Sequence, residues 1–303
     1  MSITGAAGEQ FAPAGGALDD RAPRPLDRGV QARRATWYKQ PALMAGLIIT
    51  GIVLIAAIAA PLITFYNPIA QNLTDALQGP SAAHWLGTDQ FGRDTWTRLV
   101  YGARVDLRIA FIAVLFPFVL GTVLGSIAAY FGGWADLVIM RVVDVVVAFP
   151  FFVLLIALVF VLGPGARSIY IAITVVGWVS YCRIVRAEIL VAKRQEYVLA
   201  AQSAGLSNTR IMGRHLMPNV ISQAIIYGMS DIVQDILAIV TLGYFGLGIP
   251  PPTAEWGSMI NGGQNFLTTH WELTTIPGLA VILVGLGLSL IGDGLADLLR
   301  PDQ

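Results

Sequence analysis

Long apolar runs separated by short polar segments set the pattern of this chain. The first run extends from Ala42 to about Ile63; the others cover about Val105–Tyr130, Leu137–Leu162, Ile169–Val185, Val220–Gly248 and Thr275–Leu299. The first is long enough to cross a hydrocarbon core about 30 Å thick as a helix, and all six are read as spans. Helix is the expected state there, because backbone N–H and C=O groups in lipid must be satisfied within the segment. The pattern predicts an all-α, polytopic membrane protein with six transmembrane helices and both termini on one side. Residues 1–40 are rich in Gly, Ala, Pro and charge and read as a mobile basic tail. Residues 41–104 then form a first helix with an external loop, and residues 105–303 a five-helix core.

One polar, small-residue island interrupts the apolar runs, from Arg194 to Asn219. Tyr197, Ala200, Ala201 and Ala204 fall at helical spacing and predict a short helix with one nearly bare face. Gly205 is expected to stop that helix in the left-handed conformation, which glycine adopts without steric penalty. Ser207, Asn208 and Thr209 are good N-caps for a second short helix through Ile211 to Met217, and Pro218 is expected to end the unit. The reading is helix, glycine turn, helix, outside the bilayer. A small-faced helix admits another protein's backbone at close range, which makes the island a candidate docking knob.

Glu196, Ala200, Ala201 and Gly205, followed by Pro218, resemble the EAA coupling loop of ABC importer permeases. Arg214-His215-Leu216-Met217-Pro218-Asn219 resembles the R-H-I-L-P-N string of the peptide and nickel importer branch. His84-Trp85-Leu86-Gly87-Thr88-Asp89-Gln90-Phe91-Gly92-Arg93-Asp94, continued by Tyr101-Gly102-Ala103-Arg104, is similar to the H-x-L-G-T-D-x-x-G-R-D string of one of the two permease subunits of peptide importers. Gly248 to Pro252 with Trp256-Gly257 resembles that family's G-L-G-x-x-P-P-x-x-x-W-G. In one departure, Ile239 stands where many relatives carry a glutamate. The resemblance covers about residues 84–300. It implies the type I ABC importer (MetI-like) permease fold, and a hetero-oligomer of this chain, a sister permease, two ATPase subunits or domains and an external solute-binding protein. It also implies that Glu196, Ala200, Ala201, Gly205, His215, Pro218 and Asn219 form the contact with the ATPase. Peptides are the leading substrate, with nickel chelates, glutathione and other small solutes as alternatives.

Charge placement bears on orientation. With the N-terminus inside, 14 of the 19 basic residues fall in inside segments, counting Arg183 with the island, and the last outside loop, Ile249–Thr274, holds none. The excess of Lys and Arg on the cytoplasmic side then places both termini and the 194–219 island in the cytoplasm of a cell-membrane protein. Only 13% of residues are charged and the net charge is zero, so a nucleic-acid partner is not expected. The single cysteine, Cys182, excludes an internal disulfide and reads as a small buried hydrophobe. No short apolar core marks a cleavable signal peptide near the N-terminus.

Chemistry-bearing motifs are missing. There is no G-x-x-x-x-G-K-[ST] phosphate loop, so no ATP site is expected in this chain. No nucleophile–base pair and no metal-ligand spacing is legible; His84, Asp89 and Asp94 read as parts of a packed external loop rather than ligands. No cofactor is expected here, with ATP and Mg on the partner subunits. A charge at a helix centre in lipid costs about 2.5–3.5 kcal/mol, so each needs an explanation. Arg141 and Asp144 are expected to pair on one helix face. Asp231 and Asp235, one turn apart in the fifth run, either line the translocation path or are hydrogen-bonded inside the bundle. Gly121 and Gly125, with the glycines from Gly243 to Gly248, suit close helix packing, and Trp256 suits the membrane interface. Two further classes stay open: an ion-gradient transporter dependent on Asp231 or Asp235, and a membrane assembly or receptor subunit that transports nothing.

Overall fold

The computed structural model describes residues 40–299, so the basic tail lies almost wholly outside the described residues. In chain order the helices are α1 (Pro41–Ile58), a short α2 (Ala60–Ile63), α3 (Thr95–Phe131), α4 (Gly133–Val147), α5 (Phe151–Leu162), α6 (Ala166–Ala192), α7 (Glu196–Ser203), α8 (Asn208–Arg210), α9 (Met217–Tyr244), α10 (Trp256–Gly263) and α11 (Glu272–Leu299). A wide π turn, Ile211–Leu216, joins α8 to α9, so residues 208–244 are helical without a break. No β-sheet forms among the described residues; a lone bridge pairs Thr88 with Asp94.

Five helices are long and apolar enough to cross a membrane: α1, α3, α6, the 208–244 helix and α11. The third apolar run differs from the expectation of one straight span, because α4 and α5 meet at 88°. Pro150 is the cause. It has no N–H to give to the preceding turn, and its ring disfavours helical geometry at Phe149. The described residues thus hold five spanning helices, or six spans if the bent α4–α5 pair counts as one. Two boundaries also move. α3 begins at Thr95 rather than Val105, because Asp94 caps it by accepting from the Thr97 N–H at 2.7 Å. α6 continues to Ala192 rather than Val185, which places Arg183 inside the helix instead of in the polar island.

The core is built around α3 and α6, which share the most extensive interface. One stripe of α3 makes it possible. Pro117 sits against Gly177, a Cβ on Gly121 would lie 2.6 Å from Tyr181 Cβ, and one on Gly125 would lie 2.5 Å from the Cys182 carbonyl. Only glycine lets the two backbones approach so closely, as the G-x-x-x-G pattern predicted. Cys182 is fully buried at this crossing. A similar device seats α1 on α11, where a Cβ on Gly46 would lie 2.7 Å from the Gly287 carbonyl.

Both ends of the bundle carry polar assemblies, and α3 runs from one to the other. At its N-terminus, the segment before it (64–94) and the segment after α9 (245–271) pack together as a cap. His84 pairs with Asp94 at 2.9 Å, Arg93 with Asp89 at 2.7 Å, and the buried Arg98 donates to the Pro68 and Pro252 carbonyls at 2.8 and 3.3 Å. These groups bond to one another inside the cap; no group of three or more His, Cys, Asp or Glu among the described residues is placed to hold a metal. Trp256 departs from its expected interfacial place. It is 1% exposed, with its ring over Gly102, its Nε1–H on the Leu99 carbonyl and its backbone N–H on Asp106 Oδ2, both at 3.0 Å. A tryptophan whose single donor is satisfied inside the cap gains nothing from the lipid surface.

Candidate functional site

The hairpin between α6 and α9 lies at the opposite end from the cap. α7 begins after Gln195, which is extended, and carries Glu196 in its first turn, favourably placed toward the positive end of the helix dipole. Glu196 and Ala200 are exposed, while Val198 (0%) and Ala201 (7%) are buried. The bare face is thus narrower than the spacing predicted: Ala200 and Ala204, beside the exposed Tyr197, form it, and Ala201 turns inward as an anchor. Gly205 ends the helix as expected, at φ 74°. Its N–H bonds to the Gln202 carbonyl at 2.9 Å and the Leu206 N–H to the Ala201 carbonyl at 3.2 Å, the paired bonds of a Schellman stop.

Beyond the turn, Ser207 is extended and leads into α8 without a side-chain cap bond. Pro218 does not end the unit. It occupies the first turn of α9, where the missing N–H matters least, and the wide π turn before it absorbs the change in hydrogen-bond register. The second arm of the hairpin is therefore the cytoplasm-expected end of a membrane helix rather than a separate short helix. Asn219 braces the two arms, donating to the His215 carbonyl at 3.0 Å and reaching the Tyr197 hydroxyl at 3.4 Å. Of the predicted contact residues, Glu196, Ala200, Gly205, Pro218 and Asn219 are exposed, His215 is half-buried and Ala201 is buried.

Three residues absent from the sequence-based set hold the hairpin to the bundle. Lys193 donates to the Ala129 and Tyr130 carbonyls at 3.0 and 2.9 Å, capping the negative end of α3, and its ammonium lies 5.5 Å from the Tyr130 ring centre. Tyr130 in turn donates to Asn208 Oδ1 at 2.8 Å. Ile211 and Leu216 are buried beneath. The hairpin is thus fastened to the end of α3 as well as continuous with α6 and α9. Nothing in the linear pattern marks Tyr130, Lys193 and Asn208 as neighbours; their separation along the chain hides them.

The two intramembrane aspartates lie well inside the bundle. Asp231 is 7% exposed and accepts a hydrogen bond from the Tyr181 hydroxyl at 2.8 Å, and the Tyr181 ring stands edge-on to Tyr227 at 4.9 Å. Asp235 is 1% exposed, and its Oδ2 has no hydrogen-bond partner among the described residues. Arg141 and Asp144 do pair, at 3.3 Å, on the exposed face of α4. Arg186 and Asp136 form a tighter link between α6 and α4, with both nitrogen–oxygen distances 2.6 Å.

The chain has clear relatives among known proteins. Residues 121–303 match the family described as binding-protein-dependent transport system inner membrane component, and residues 31–80 match the N-terminal TM domain of oligopeptide transport permease C. The dipeptide transport system permease protein DppC of Alkalihalophilus pseudofirmus is 40% identical over 263 residues, covering 87% of this chain and 86% of that protein. The oligopeptide transport system permease protein OppC of Bacillus subtilis is 38% identical, covering 85% of each. The glutathione transport system permease protein GsiD of Pectobacterium atrosepticum is 36% identical, covering 86% of each. A chain of the MetNI methionine ABC transporter, solved in inward-facing conformations, superposes with a TM-score of 0.54 at 17% identity, over 67% of this chain and 96% of that one. At that identity the likeness speaks for the fold alone, the type I importer permease fold that the motifs implied.

Proposed function

The chain belongs to the family of binding-protein-dependent transport system inner membrane components, and on that premise we propose that it is one of two membrane subunits of an ATP-driven peptide importer. It is a multi-pass membrane protein that translocates peptides. The finer assignment has four parts. A sister permease completes the membrane dimer, two ATPase subunits hold ATP and Mg, and an external binding protein delivers the solute. This chain carries out no catalysis itself. Di- and oligopeptides are the leading substrates, and a glutathione-like peptide is the nearest alternative.

The observation that carries the coupling role is the hairpin of residues 194–219. It projects Glu196, Ala200, Ala204 and Gly205 outward on a small-residue surface. Underneath, it is tied to α3 through Lys193 and Tyr130 and runs directly into α6 and α9. Movement of an ATPase docked on that surface would therefore be delivered to three membrane helices at once. The excess of basic residues toward this end supports a cytoplasmic hairpin and cytoplasmic termini. In this reading, nucleotide-driven closure of the ATPases draws the hairpins of the two permeases together, opens the central path outward to the binding protein, and hydrolysis returns it inward.

The test is mass spectrometry of what co-purifies with the tagged chain extracted gently from its native membrane. A second permease with stoichiometric ATPases is the expected result, the ATPases being lost on changing Glu196 and Gly205 together. A chain that purifies alone, or only with copies of itself, in every detergent tried overturns the assignment.

A further inference from the structure

We propose that the cleft between α4 and α6 is a carboxylate-binding subsite for the travelling peptide, with Arg183 as its anion ligand; the proposal rests on the peptide-import reading above. The cleft has a volume of about 470 Å³ and is lined by Met140, Val143 and Val147 with Asp144, Arg183 and Arg186. That is the size range of small-solute sites, and the lining combines apolar walls with a few charged groups.

The charges in it are not equivalent. Arg186 is already paired, its Nε and one terminal nitrogen both bonding to Asp136 at 2.6 Å. Asp144 has Arg141 beside it at 3.3 Å. Arg183, one turn before Arg186 on α6, is exposed into the cleft and has no ion pair or hydrogen bond among the described residues. It lies about 13 Å short of the hairpin end of α6, at about 1.5 Å per residue, and hence inside a membrane-crossing helix. An uncompensated arginine at such a position marks a wet path or an absent anionic partner. A guanidinium presents a planar fork of N–H donors that matches a carboxylate with two parallel bonds. A peptide has one carboxylate at its C-terminus, and Asp144 across the same cleft offers a negative edge to its ammonium end.

The experiment uses the complete importer with its binding protein in proteoliposomes. Uptake below saturation is measured for a dipeptide with a free C-terminus and for the same dipeptide as its C-terminal amide, in wild type, Arg183→Gln and Arg183→Lys. The variant-to-wild-type ratio is taken separately for each peptide, so any preference of the binding protein cancels. Arg183→Gln should lower carboxylate uptake about tenfold or more and amide uptake less than about twofold, in line with the loss of a charge-assisted pair. Arg183→Lys keeps the charge without the fork and should fall between. It also serves as the readout if the glutamine variant fails to assemble, since a carboxylate-selective loss is still expected. Equal losses for both peptides would mean that Arg183 serves a lipid, the sister subunit or the fold, and would overturn the subsite. Unchanged uptake of both would overturn it too. No uptake of either peptide by the wild type would overturn the import reading and the subsite with it.

Discussion

Gly205 gives the most direct test of whether the hairpin works as a shaped docking surface. It holds φ 74° in the Schellman stop of α7, and nothing among the described residues lies within 4 Å of where a Cβ would be added. Substitution there meets no steric neighbour, so the whole effect comes from the backbone. An L-residue forced into the left-handed region costs about 1–2 kcal/mol, with β-branched side chains at the upper end. Such a cost lowers the population of the native turn about 5- to 30-fold relative to alternatives, at a site whose loss leaves the buried core untouched. Gly205→Val should therefore reach the membrane in normal amounts but lose most co-purifying ATPase and most uptake. The series Gly, Asn, Ala, Val separates conformation from bulk: Asn is larger than Ala yet tolerates the left-handed region better. Quantitative mass spectrometry of ATPase per permease, alongside uptake, should rank the variants Gly, Asn, Ala, Val. If Val matches the wild type, or if Ala outperforms Asn so that the series tracks size, the reasoning from the turn is refuted.

Packing and charge yield three other expected outcomes. Gly121→Leu inserts a side chain where Tyr181 Cβ and the Cys182 backbone nitrogen would lie 2.6 and 2.9 Å from its first carbon; overpacking of this kind costs about 1–3 kcal/mol or more, and a marked drop in the thermal midpoint of the detergent-solubilised protein should report it. Tyr181→Phe leaves Asp231 Oδ2 without its donor, a loss worth about 1–3 kcal/mol for a buried acceptor, so the midpoint should fall although only one oxygen is removed. Burial pushes the Glu255 carboxyl up to about 7, against the pull of the Ser258 and Gly257 N–H groups that it accepts from. The folded state then binds the proton more tightly than the unfolded chain, so the stability this group contributes is present below its ordinary value near 4.5 and is lost as pH rises to about 7. Thermal midpoints should decline from pH 5 to pH 8, and Glu255→Gln should flatten that decline; a wild-type midpoint that rises over this interval would contradict the assignment.

Much of this protein is legible in its sequence because the bilayer imposes simple rules. A run such as Val105–Tyr130 must be a helix, since no other structure satisfies its backbone in lipid within one segment. Local chemistry was equally plain where a residue acts on its own backbone: Gly205 stops α7 through its own φ, and Gly121 and Gly125 permit the α3–α6 crossing by lacking a Cβ. Where a residue's meaning depends on what faces it, only the tertiary structure decides. Pro218 reads as a terminator, yet the π turn before it carries the helix through. Trp256 suits a lipid interface by type, but the Leu99 carbonyl, Asp106 and Gly102 make a closed pocket for it from residues far earlier in the chain. Arg183 looks like a loop charge until α6 extends past it and α4 forms a cleft against it. Lys193, Tyr130 and Asn208 become a unit only when the end of α3 is brought beneath the hairpin. Sequence alone determines the conformation that a single segment adopts in its own solvent. Contacts between distant segments are settled by packing, because periodicity records which face is apolar but not which partner will cover it.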